Sequence, residues 1–275
     1  MTKLTGRHME FELFTLSFDE YLGMKGFLGK PVGARRAEFE EYLRYGGFPR
    51  ALTYDDPEAK ATYIEGVVAQ VVEKGIKARK KVRNVSTFDQ VMTYVINNFG
   101  APTSLTNLVE HFNNVEGVHV KRETIAGYLR LLESAKVLYK CERFDLKSRR
   151  SLRGEEKYYL ADISLKYALF GYNGRMRSAV LENILYLELR RRGYEVFIGK
   201  LGDKEIDFVA ERQGDRLYVQ ACVTIPEDSS RETDNLLAIP DNYPKYVVTL
   251  DRLAAGNENG VRIVHLEDFL LADAW

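Results

Sequence analysis

The alternation of apolar and polar residues predicts three amphipathic helices followed by a β-hairpin in the middle of the chain. Apolar residues recur at helical spacing, so each helix has one stripe for burial. The expected elements are helices Ser86–Ile96, Ser104–Phe112 and Val120–Glu133, and strands Val137–Phe144 and Lys157–Leu160 on either side of a charged tip. Three helices and a two-stranded wing make a winged helix, a variant of the helix-turn-helix.

The last hundred residues predict a second pattern of elements. A helix over residues 178–194 precedes a strand at 205–210, a turn at 213–215 and a strand at 217–225. Buried strands at 245–250 and 261–266 and a closing helix complete the chain. We interpret this part as an α-β-β-β-α-β segment. A carboxylate on its helix and an Asp on one of its strands are the layout of restriction-endonuclease-like folds.

The start of the chain predicts a short strand and a helical linker. Residues 9–14 alternate as in a strand, and Ser17-Phe-Asp-Glu20 predicts a helix-capping box. One helix is expected over residues 34–45, and another from Asp56-Pro57 through Val72 into the basic run 74–83. We therefore expect a mixed α/β protein with boundaries at 1–83, 84–162 and 163–275, the last part opening with a linker at 161–177.

Four positions in the last part suggest a nuclease core that has lost its chemistry. Glu182 on the helix and Asp207 on the strand are placed like the acids of a metal nuclease, with Glu188 as the competing helical acid. The next strand offers Gln220 and Cys222, on one face because they are two residues apart. Magnesium prefers anionic oxygen ligands, and a thiol cannot supply a cationic hydrogen bond, so we expect neither a catalytic residue nor a metal site. The competing interpretation of Asp207 is a buried acid satisfied by backbone amides.

Basic residues cluster on the predicted winged helix. They are Lys121, Arg122 and Arg130 on the third helix and Lys147, Arg149, Arg150 and Arg153 at the hairpin tip. Together with residues 74–83 they could neutralise several phosphates of DNA. The alternatives are that the charged helix face and hairpin tip are simply solvated, or that the winged helix binds protein.

Composition narrows the class of protein. Forty basic and forty acidic side chains cancel, so any attraction to nucleic acid must be local. The two cysteines, Cys141 and Cys222, have no metal-site spacing and suit a reducing compartment. No apolar run approaches membrane-spanning length and the first residues are polar, so we expect a cytoplasmic protein without a membrane partner.

The ordered set of motifs resembles a prokaryotic AAA-type ATPase family. Leu4-Thr-Gly-Arg7 with Leu16-Ser-Phe-Asp-Glu-Tyr21 resembles the end of its ATPase module, and Tyr45-Gly-Gly-Phe-Pro49 and Lys157-Tyr-Tyr-Leu-Ala-Asp162 resemble its next segments. Glu182-Asn183, Glu205-Ile-Asp207, Val219-Gln-Ala-Cys222 and residues 245–251 resemble its C-terminal domain of unknown function.

This resemblance implies the C-terminal portion of an ATPase, with an ATPase remnant, winged helix and nuclease-like domain. ATP and Mg²⁺ are implied only for full-length relatives, because the Walker motifs precede Leu4 there and only Arg7 of the nucleotide site is matched. The sequence predicts a non-catalytic binding or regulatory module. The alternatives are a weak nuclease using Glu182 and Asp207 or a DNA-binding regulator. Candidate partners are DNA, an upstream ATPase half, another protein or a second copy.

Overall fold

Nine strands join in one mixed sheet within the described parts of the chain, residues 11–77, 82–174, 178–225 and 231–275 of a computed structural model. The strands are β1 (Pro102–Thr103), β2 (Leu138–Asp145), β3 (Arg150–Leu160), β4 (Glu195–Leu201), β5 (Lys204–Arg212), β6 (Asp215–Cys222), β7 (Lys245–Thr249), β8 (Gly256–Glu258) and β9 (Val261–His265). Their order is β1-β3-β2-β4-β5-β6-β7-β9-β8. The pairs β2–β4, β6–β7 and β7–β9 are parallel and the others antiparallel, which confirms the mixed α/β class.

Helices flank this sheet and fill the N-terminal part. They are α1 (Phe18–Phe27), α2 (Arg35–Tyr45), α3 (Pro57–Gln70), α4 (Val85–Asn97), α5 (Leu105–Asn114), α6 (Arg122–Ser134), α7 (Ser164–Phe170), α8 (Ser178–Arg191), α9 (Arg231–Leu237) and α10 (Leu266–Leu271). A 3₁₀ helix spans Pro49–Thr53, and a π-helical segment spans Val71–Lys77 directly after α3. No helix of the described residues is long and apolar enough to cross a membrane.

The N-terminal elements form where local signals place them, with one exception. Ser17 and Glu20 make the expected capping box, and Asp56 caps α3. The strand expected over residues 9–14 is wrong for its described part, because residues 11–17 have no regular secondary structure. Phe11 and Leu13 are 79% and 92% exposed, so the apolar alternation there meets no strand partner or core. Residues 9 and 10, and the basic positions 78–81, lie outside the described residues.

The segment predicted as a winged helix contains the three expected helices, α4, α5 and α6, followed by the hairpin β2–β3. Asn84 and Ser104 cap α4 and α5, and the expected apolar stripes are buried. Strand β2 also pairs in parallel with β4 through residues 143–145 and 198–200. The hairpin is therefore part of the same sheet as the predicted nuclease-like segment.

The linker expected at 161–177 contains a helix, α7, instead of an unstructured connection. Just before it, Asp162 is 3% exposed and binds the turn after α2. One carboxylate oxygen of Asp162 accepts from Gly47 N at 2.8 Å, and the other accepts from Ser164 N at 2.9 Å and Ser164 Oγ at 2.6 Å. This buried carboxylate therefore ties the N-terminal helices to the end of β3.

Gly46 must be glycine for this contact to exist. Its φ of 72° and ψ of −167° lie in a region that only glycine adopts readily. A Cβ built at Gly46 would lie 1.9 Å from Asp162 Oδ1. The turn after α2 can therefore approach Asp162 only without a side chain.

We expect Gly46→Ala to destabilise the protein by roughly 3 kcal/mol or more, because backbone strain and the clash with Asp162 add. The matched change Gly66→Ala lies within α3 with open space around the new methyl group, and should stabilise by about 0.5–1 kcal/mol. Urea unfolding of both variants measures this. Equal effects would mean that the turn relaxes without cost.

Candidate functional site

The structure brings the predicted nuclease-like positions to one place in the fold. Helix α8 supplies Glu182, β5 supplies Asp207 and β6 supplies Gln220. Asp207 and Gln220 are 8% and 7% exposed, and the Glu182 side chain is 12% exposed. The competing acid Glu188 is buried elsewhere, in ion pairs with Arg191 and Arg192. Glu182 is thus the helical acid of this site.

A lysine that the sequence did not single out lies among these acids. Lys157 is a central residue of β3, 5% exposed, and its Nζ lies 3.0 Å from Glu182 Oε2 and 3.1 Å from Glu205 Oε1. Tyr159, two residues along the same strand face, donates its hydroxyl to Glu182 Oε2 at 2.9 Å. We call Lys157, Glu182, Glu205 and Asp207 the acid–lysine cluster.

Helix α8 is fixed to β3 by two consecutive residues. Next to Glu182, the fully buried Asn183 accepts from Leu160 N at 2.7 Å and donates to Leu160 O at 3.1 Å. The helix therefore cannot slide along the strand without losing these bonds, which keeps Glu182 in reach of Lys157.

Glu205 receives a second cation from the hairpin. Arg143 on β2 forms an ion pair with Glu205, whose side chain is 35% exposed. Burial acts to raise the pKa of Glu205, but Lys157 and Arg143 outweigh it and hold the pKa below its usual value. Burial alone would lower the pKa of Lys157, yet the surrounding charges of Glu182, Asp207 and Glu205 raise it. These shifts hold Glu205 and Lys157 in their charged forms at neutral pH.

The pKa of Asp207 is shifted upward, opposite to that of Glu205. Its burial, reinforced by the charge of Glu182, raises its pKa to about 8 against the opposing effects of Lys157 and the Ala221 amide. Asp207 Oδ2 accepts from Ala221 N at 2.8 Å, and Asp207 N donates to Gln220 Oε1 at 3.3 Å. These two bonds cross between β5 and β6 beyond the last paired residues of their ladder. The Gln220 side chain therefore takes part in a hydrogen bond that joins β5 to β6.

Cys222 is the last residue of β6 and lies at the edge of this site. Its Sγ donates to Thr224 O at 3.0 Å, and burial, with the charge of Glu232, raises its pKa. The thiol is thus held in its protonated form, which is a poor metal ligand and a poor nucleophile. Among the described residues, no group of three His, Cys, Asp or Glu side chains is placed to hold a metal ion.

The basic residues of the predicted winged helix are exposed at two places. Lys121 is the residue before α6, Arg122 and Arg130 lie on α6, and Lys147, Arg149 and Arg150 lie at the β2–β3 tip. We call these six residues the basic surface. Arg122 donates to Thr106 Oγ1 on α5 at 2.9 Å. Within the described residues Lys121, Lys147, Arg149 and Arg150 are exposed and have no ion-pair partner. The side chain of Arg153, and Arg7, lie outside the described residues.

Comparison with known proteins places residues 36–175 in a family described as a domain of unknown function, DUF8612. An uncharacterized protein of Haemophilus influenzae is 35% identical over 273 residues, 98% of this chain and 66% of that protein. An uncharacterized protein of Methanocaldococcus jannaschii is 28% identical over 240 residues, 82% of this chain and 52% of that protein. The chain thus spans about two thirds and half of these curated relatives. No solved structure matches it.

We expect Asp207→Asn to reduce the loss of stability as pH rises. The pKa of Asp207 is about 8 in the folded protein and about 4 when unfolded, so the folded state holds one extra proton between these values. Stability from this group is present below pH 4 and is lost as pH rises to 8, by up to about 1.4 kcal/mol per pH unit. Asparagine keeps an oxygen for Ala221 N and cannot ionise.

Urea unfolding of the parent and Asp207→Asn at pH 5, 6, 7 and 8 measures this difference, because the other titrations are common to both proteins. Parallel pH profiles would show that Asp207 is ionised in the folded protein at pH 5.

Proposed function

The chain belongs to the DUF8612 family, and from that premise we propose that it is a non-catalytic nucleic-acid-binding module with a silent nuclease-like core. One contrast carries the proposal. Lys157, the cation of the acid–lysine cluster, is buried and paired, whereas four of the six cations of the basic surface are exposed and have no ion-pair partner among the described residues. Unpaired positive charge is therefore available on the predicted winged helix, whereas the positive charge of Lys157 is already matched by acids.

The proposed lack of nuclease activity follows from the ion pairs and the protonation of the acids in the core. Lys157 pairs directly with Glu182 Oε2 and also with Glu205, so the charge of both acids is already matched. With a pKa of about 8, Asp207 is mainly protonated at neutral pH and offers little anionic oxygen to a metal. A divalent cation would have to displace a buried ammonium group from its partners, which is costly.

The basic surface has the distribution that a winged helix uses on DNA. In such folds the third helix lies in the major groove and its first residues approach the bases. Lys121 and Arg122 stand at the start of α6, and the bond from Arg122 to Thr106 fixes this end against α5. The hairpin tip adds Lys147, Arg149 and Arg150, each able to meet a phosphate.

A second candidate, a weak metal-dependent nuclease, is favoured by one specific observation. Lys157 supplies beside Glu182 the lysine that is missing at Cys222. In an active site such a lysine would steady an attacking water or the developing charge on phosphate. We rank this candidate second because Lys157 makes direct contact with the acid that would have to hold the metal.

The relation to ATPases is a proposal that rests on the sequence resemblance. About a third of the Haemophilus relative lies outside the match, with room for another domain in that protein. We infer that DUF8612 chains act beside an ATP-hydrolysing module, either in the same polypeptide or as a separate partner. The binding module would then deliver that ATPase to nucleic acid.

We expect this chain to bind duplex DNA with a salt-dependent affinity and without cleaving it. The variant Lys121→Ala/Arg150→Ala removes one cation from each half of the basic surface. Each lost phosphate contact should lower the slope of log K against log salt by about 0.9, so the double variant should lose about one to two units. Fluorescence anisotropy measured between about 50 and 200 mM salt gives the slope.

The control variant Arg35→Ala/Arg36→Ala removes the same charge from exposed positions of α2. It should leave the slope unchanged. The proposal fails if the parent shows no salt-dependent binding, or if both double variants reduce the slope equally. Cleavage of the probe in Mg²⁺ or Mn²⁺ would support the nuclease candidate instead.

A further inference from the structure

A cavity of about 190 Å³ lies between the N-terminal helices and the predicted winged helix. Its walls come from α3, the π-helical segment, α4, the start of β2 and the extended residues 13–15. No residue of the acid–lysine cluster lines this cavity. Leu13, 92% exposed, lies at its rim and marks an opening to solvent.

The walls of this cavity are almost entirely apolar. Val68, Val72, Met92 and Ile96 are all buried, and they face the cavity from α3, the π-helical segment and α4. The three polar side chains at its edge, Thr15, Lys136 and Tyr139, already have partners. Thr15 Oγ1 donates to Ala161 O at 3.4 Å, and both Lys136 and Tyr139 bind Glu12. A water molecule needs two to four polar partners, roughly, so a cavity of this kind stays dry.

The π-helical segment forms part of the wall through Val71 and Val72. A π-helix is less favourable than the α-helix that it interrupts, and such segments occur frequently at functional sites. Here the wider turn follows α3 directly, at the point where the two β-branched residues reach the cavity. The irregular backbone and the open apolar space thus coincide.

We propose that this cavity binds a small, uncharged, apolar molecule of a size between benzene and indole. Engineered apolar cavities of about 150 Å³ take up benzene or xenon, and this one is larger. A charged or strongly polar ligand would lose its hydration without gaining hydrogen bonds from the walls. Because the walls come from both sides of the junction, a bound molecule stabilises the junction between the N-terminal helices and α4.

The whole chain titrated with benzene and with indole tests the proposal by calorimetry and thermal melting. The parent should bind with a Kd of about 0.1–1 mM, typical of so few atoms, and melt at a higher temperature in the probe. The variant Ala161→Leu fills the cavity and should weaken binding at least tenfold. The matched variant Ala69→Leu, at an exposed position of α3, should bind like the parent.

A second variant covers the case in which Ala161→Leu does not fold. Val72→Ala enlarges the cavity, so it should lower the melting temperature and bind indole several-fold more tightly than the parent. The proposal is overturned if the parent binds neither probe up to its solubility. It is equally overturned if Ala161→Leu binds like the parent, or if Val72→Ala binds indole no better.

Discussion

The ion pairs of the buried Lys157 with Glu182 and Glu205 hold together three elements from different parts of the chain. Lys157 belongs to the hairpin strand β3, Glu182 to α8 and Glu205 to β5. Removing one partner of such a buried group costs about 3–5 kcal/mol, because the remaining charge is left without compensation. The packing of α8 on the sheet therefore depends on a charge balance that the hairpin supplies.

This dependence explains why the predicted winged helix and the nuclease-like segment form one sheet. The hairpin brings Lys157 and Arg143 to the acids, and the parallel pairing of β2 with β4 carries the sheet across the predicted boundary at 162. Asp162 then ties the opposite side, by binding the turn at Gly47. The boundary at 162 remains a prediction from sequence. The pairing of β2 with β4 and the hydrogen bond from Gly47 to Asp162 both join residues across the predicted domains.

Much of the fold could be predicted because its signals are local. The stripe of α4, the capping box at Ser17 and the largely apolar runs of β5 and β6 each lie within a few residues. Asp207 is predicted from the order of elements, as the acid on the strand before the one that carries Gln220 and Cys222. Lys157 was missed because its partners are 25 and 48 positions away, and sequence spacing carries no signal for such a contact. The available hint was a charged residue on the inner face of a buried strand. The strand expected around Leu13 was wrong because alternation alone does not supply a neighbouring strand.

The most direct test of the account is the response of Lys157→Met to divalent cations. Lys140→Met, on the adjacent strand β2, is the matched control. Thermal melts with and without Mn²⁺, at pH 7 and at pH 9 where Asp207 is ionised, compare both variants with the parent. We predict that Mn²⁺ leaves the parent and Lys140→Met unchanged, and restores part of the stability that Lys157→Met loses, most strongly at pH 9. If Mn²⁺ stabilises the parent as much as Lys157→Met, or stabilises neither, then Lys157 does not take the place of a metal ion in this core.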